Sequence, residues 1–241
     1  GYTGYACYAN DFSGTLDGNN TTLSNLKLGD GYFALLYQMN GGTIKNLKVT
    51  LDSTKDSMLC ATMNSNATME NISISADSTI QTGNNYAPFV YEAFNSTLKD
   101  CNNYVDINGT YFAAFVGYWA QNTTFNNCNN WGNLTGTYVG VLIANQPSDM
   151  NNGLSISDCN NYGTLYGSNK VGFMTGNPRN HADNDTFNTQ YSKNLTSTIE
   201  VNGITYTGQA ISPVTLQDFA INANGQITQT TESDKGVSYY K

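Results

Sequence analysis

Positive charge is what this sequence has least of. One arginine and one histidine stand among 241 residues, and 10 Lys and Arg face 18 Asp and Glu for a net charge of −8. So few cations leave little to neutralise phosphates, which argues against nucleic acid or an anionic membrane surface as partner. Long apolar runs are missing too, so direct membrane insertion is not expected. No window is dominated by the helix formers Ala, Glu and Lys, which disfavours bundles and coiled coils. No secretion signal or lipidation motif is visible, so a signal has been removed or the chain begins after one. Cysteine is present but odd in number, at 5, so its placement has to explain it.

What the chain does have is repetition. "CNNYVDINGTYFAAFVG" starts at Cys101, "CNNWGNLTGTYVGVLIA" at Cys128 and "CNNYGTLYGSNKVGFMTG" at Cys159. Spacing of this kind is too long for a heptad, so a repeat architecture is tested first. Cysteine-free copies lie upstream in "TIKNLKV" from Thr43 and "TMENISI" from Thr68, and "TTLSNLKL" from Thr21 opens the series with one residue of slack. Aligned, the six copies give an apolar column of Leu23, Ile44, Met69, Leu98, Phe125 and Ile156, and a second of Leu26, Leu47, Ile72, Cys101, Cys128 and Cys159. Just before the second column stand Asn25, Asn46, Asn71, Asp100, Asn127 and Asp158.

Asn and Asp are the non-glycine residues that best tolerate left-handed backbone angles. A bend at one place in every copy, with apolar residues inside it, describes a chain that coils and stacks its coils as parallel strands about 4.8 Å apart. Cys101, Cys128 and Cys159 then become small buried fillers of one ladder, pointing the same way, so free and inert thiols are expected rather than disulfides. Asn103, Asn130 and Asn161 are expected to stack into an amide ladder. Small and bulky residues alternate later in each coil, as in Phe112 to Gly117, Val139 to Ala144 and Val171 to Gly176, which reads as a second core segment.

"FSGTLDGNNTTLSNLKL" from Phe12, "GGTIKNLKV" from Gly41 and "VGFMTG" from Val171 carry a resemblance to the GLUG-type repeats of bacterial extracellular proteins. The likeness covers roughly residues 11 to 180. It implies a right-handed parallel β-helix of the pectin-lyase-like kind and an extracellular or cell-surface location. Such repeats serve as stalks and modules in adhesins and other surface proteins, so the resemblance specifies fold better than activity.

The texture changes near residue 185. "TIEVNGITYTG" and "FAINANGQITQT" each centre on an Asn-Gly pair, a strong hairpin signal. The expected organisation is therefore all-β: residues 1–185 form a parallel β-helix of about six coils, and residues 186–241 form a β-hairpin cap or small β-domain over an open strand edge.

Three candidate sites remain. Tyr104, Trp131 and Tyr162 follow the amide ladder in three consecutive coils and form an aromatic column, suited to a glycan or a host surface protein; turn packing is the plain alternative. Arg179, His181, Asp183 and Asp185 make the one cluster of base, imidazole and acid, where calcium is the conceivable ion; a solvated loop at the end of the solenoid is the plainer reading, and no other cofactor is implied. Asp100 and Asp158 share a column about 9.6 Å apart at two strand spacings, near the upper end for an inverting glycosidase pair. Asn serves at the same place in other copies, which favours a bend role for both. The expected function is a non-catalytic secreted or surface module, monomeric, for adhesion, glycan binding or spacing; the alternative is a polysaccharide lyase or hydrolase on the same scaffold.

Overall fold

A computed structural model describes residues 11–28, 34–54, 56–83, 85–146, 154–172 and 175–178, together with short strands between 188 and 240. Every regular element is a strand; there is no helix among the described residues. The first two coils contribute strands to two sheets and each later coil to three sheets in turn, and the pairing within the stack is parallel. This is a parallel β-solenoid.

The first sheet carries Thr15–Leu26, Thr43–Leu51, Thr68–Ala76, Thr97–Lys99, Thr124–Asn126 and Ser155–Asn161 in that order. Ile44, Met69, Leu98, Phe125 and Ile156 lie in register and are buried. The second sheet stacks Ile80–Gln81, Ile107–Ala113, Leu134–Gly140 and Leu165–Gly172. The third stacks Ala34–Asn40, Met58–Asn64, Val90–Phe94, Val116–Gln121, Ile143–Gln146 and Thr175–Pro178. Inner residues of the three sheets meet in one core in which Phe89, Phe112, Phe115 and Phe125 are fully buried.

The bend in each coil has its cause in one column. Asn46, Asn71, Asp100, Asn127 and Asp158 have φ of 54°, 52°, 54°, 49° and 55°. The left-handed angle breaks strand alternation, so apolar residues on both sides of it point inward. In the fourth coil, Leu98 and Cys101 are both fully buried with Asp100 between them.

Two expectations are corrected. The solenoid has about five turns rather than six, because the six strands of the first sheet bound five circuits between Leu16 and Ile156. The opening copy is also out of frame. Leu16, not Leu23, pairs with Ile44, while Leu23 pairs with Val49 and Leu26 with Leu51. Asn19 and Asn20 take left-handed angles within this first strand, and the register shifts between Asp17 and Thr21. That bulge lets an apparent copy of the motif slide along its neighbour.

Past the stack, Ser197–Val201 adds in parallel to Leu165–Gly172, and Ile204–Gly208 then pairs with it antiparallel. Asp218–Ile221 pairs antiparallel with Ile227–Gln229 and with Tyr239–Tyr240.

Candidate functional site

The motif Cys-Asn-Asn-aromatic builds its site by alternation after the bend. Cys101 points in, Asn102 is partly open, Asn103 points in and Tyr104 points out. The next coils repeat this, save that Asn160 is buried, with Asn129 and Asn130 paired to Asn102 and Asn103 and to Asn160 and Asn161.

Burying an amide requires partners for its donors. Asn103 Nδ2 donates to Asn130 Oδ1 at 2.7 Å and to the Val105 carbonyl at 3.2 Å. Asn130 Nδ2 donates to Asn161 Oδ1 at 2.6 Å and to the Gly132 carbonyl at 2.8 Å. Asn161 Nδ2 donates to the Gly163 carbonyl at 2.6 Å. Each amide thus ties its own turn, and those of Asn103 and Asn130 also grip the next coil. Gly132 and Gly163 follow because a Cβ there would lie 2.0 Å from a carbonyl oxygen of the coil below.

Tyr104, Trp131 and Tyr162 stand outside this ladder, exposed by 50%, 46% and 38%. Their rings stack on one another: Tyr104 and Trp131 at 6.2 Å between centroids and 10° between planes, Trp131 and Tyr162 at 4.0 Å and 15°. Trp131 Nε1 donates to Asn102 Oδ1 at 3.4 Å. Because the rings cover each other's faces, the column offers solvent a row of ring edges. The outer face of Tyr104 is not covered by a ring, since the coil below has Ser75 at that place, next to the Ile74 that pairs with Asn103.

The acidic column does different work. Asp100 Oδ1 accepts from Asn127 Nδ2 at 2.7 Å, and Asp100 Oδ2 lies 3.7 Å from Lys99 Nζ. Asp100 and Asp158 sit two coils apart with Asn127 between them, each at a left-handed bend. The thiols of Cys101, Cys128 and Cys159 are buried and unbridged. Cys128 is pushed well above the ordinary thiol range, first by burial and then by its two neighbouring thiols, so it has little thiolate character. Arg179, His181, Asp183 and Asp185 lie outside the described residues.

One group was missed by sequence reading. On the third sheet Tyr91 stacks on Tyr118 at 5.5 Å, Phe94 meets Trp119 edge-on at 4.9 Å, and Glu92 is the register partner of Trp119. Burial raises the Glu92 carboxyl above its ordinary range. Outward aromatics on this sheet recur at no fixed offset from the Cys-Asn-Asn motif, so no column announced them.

No family model, curated protein or solved structure matches the chain.

Proposed function

We propose that this chain is a non-catalytic module of the bacterial cell exterior, of the GLUG-type repeat kind, that holds an aromatic column rigidly for recognition of a glycan. The observation that carries the reading is the Tyr104–Trp131–Tyr162 stack, which is exposed and yet anchored residue for residue on a buried amide ladder. Aromatic side chains left in water at consecutive coils are costly unless they meet a partner. The open face of Tyr104, with Ser75 beneath and Thr50 Oγ1 3.4 Å from Ser75 Oγ, suits a neutral sugar ring that stacks on the phenol and bonds the hydroxyls. The net charge of −8 disfavours acidic glycans, nucleic acid and anionic membranes alike as partners.

The bend role of Asp100 and Asp158 supports a binding module over a hydrolase, since both residues sit at left-handed angles that Asn46, Asn71 and Asn127 adopt at the same place in other coils. No calcium or other cofactor enters this reading, and the module acts as a monomer. A glycan array supplies the ligand, and calorimetry then compares the parent with Tyr104→Ala and Trp131→Ala. Both variants are expected to fold and to bind at least several-fold more weakly, with little dependence on salt. Unchanged affinity in the folded variants removes the platform, and binding to a host surface protein with no glycan response would transfer the same face to a protein partner.

A further inference from the structure

Tyr111 and Tyr138 occupy the same place in consecutive coils of the second sheet and are direct register partners. Their rings lie 4.4 Å apart between centroids and only 7° from parallel. Both side chains are partly open to solvent. The buried Phe112 and Val139 that follow them fix the two backbones in place. Two phenols held this way have already lost the orientational freedom that makes coupling of free tyrosines inefficient.

We propose that Tyr111 and Tyr138 form a dityrosine cross-linking site, joined through the ring carbons beside their hydroxyls when the chain meets a haem peroxidase and hydrogen peroxide. Each phenol gives up one electron and its hydroxyl proton to become a tyrosyl radical. The two electrons and two protons reduce one hydrogen peroxide to two waters. The radicals combine in a carbon–carbon bond, and the ring hydrogen at each coupled carbon moves to the adjacent phenol oxygen, which restores aromaticity. The net change in the protein is the loss of two hydrogen atoms.

The fold sets this pair apart from the tyrosines of the two other aromatic columns described above. Tyr91 and Tyr118 are further apart, at 5.5 Å and 20°. Tyr104 and Tyr162 never meet, because Trp131 stands between them. A bond between Tyr111 and Tyr138 would staple one coil to the next, closing a loop in the unfolded chain and opposing separation of the stacked strands.

The test treats the folded full chain with a haem peroxidase and limiting hydrogen peroxide, then maps cross-links in a peptic digest by mass spectrometry. The expected product is a monomer lighter by two hydrogen atoms, with Tyr111 joined to Tyr138 as the main link. Tyr111→Phe and Tyr138→Phe keep both rings and are each expected to cut dityrosine emission several-fold. A main link at Tyr91–Tyr118, links chiefly between molecules, or emission that survives both substitutions would overturn the proposal. The peptide map of the parent decides the matter even if a variant folds poorly.

Discussion

A single residue type sets the path of each coil. Asn or Asp at a left-handed angle lets apolar residues on both sides face the core, and this was readable in the sequence because few other residues accept that angle. Asp100→Asn and Asp158→Asn should therefore leave the unfolding midpoint within about 0.5 kcal/mol of the parent, as surface changes away from special features do. A loss of several times that size in a urea titration would show that the carboxylates matter beyond the bend. The cysteines next to these bends were equally legible as fillers, since Leu and Ile hold the same column upstream. Cys128 is fully buried, and its Sγ lies 3.4 Å from the Leu98 carbonyl and 3.6 Å from that of Asn126. Cys128→Ser should cost about 1–3 kcal/mol, because a hydroxyl in a site shaped for sulfur is poorly compensated, and Cys128→Ala should cost less. Burial also pushes the Cys60 thiol up to about 12. Ellman's reagent at neutral pH should accordingly leave Cys60, Cys101, Cys128 and Cys159 unreacted in the folded protein and label them once it is denatured.

At the scale of the element, the ladder is the unit that couples coils. Asn130 both donates to and accepts from its neighbours, so Asn130→Ala orphans the Nδ2 donor of Asn103 and the Oδ1 acceptor of Asn161. Each orphaned group costs about 1–3 kcal/mol, and the variant should lose stability by that order in a denaturant series without changing its strand content by circular dichroism. A loss no larger than that of a surface substitution would mean that the ladder contributes register but little energy. The first strand shows where element-level reading fails. "TTLSNLKL" matches the motif by residue type, but Thr15–Leu26 is mostly exposed, so no burial pins its frame and the bulge at Asn19 and Asn20 decides the pairing instead. The Tyr91–Tyr118 stack and Glu92 escaped notice for a related reason: they are only partly buried, at places where composition varies from coil to coil.

For the whole molecule, charge placement predicts acid sensitivity. Asp17 is held below the ordinary carboxylate range by the backbone N–H of Asn19 and the Asn46 amide, Asp52 by the hydroxyl and backbone N–H of Thr54, and Asp77 by the hydroxyl and backbone N–H of Ser53. A depressed carboxyl stabilises the fold above its unfolded value of about 4 and loses that contribution as pH falls through its lower folded value. Glu92 has the opposite sign, since burial raises it and its charged form opposes folding. Urea midpoints should fall below about pH 4, where the depressed carboxyls lose their contribution, while Glu92→Gln should raise the midpoint at neutral pH. A midpoint that rises below pH 4 would reverse this assignment. The solenoid as a whole was legible because one period recurs through most of the chain, whereas its turn number depended on where the first strand pairs, which the repeat alone leaves open.

Both the solenoid register and the aromatic column require Trp131 to lie between Tyr104 and Tyr162 on the outside of the stack. Nuclear Overhauser contacts from the Trp131 indole, recorded with the exchange of its N–H, test this in one labelled sample. Contacts to both tyrosine rings are expected, with exchange with solvent water as an exposed indole shows. Contacts to only one ring, or an indole N–H protected like the core, would contradict that arrangement.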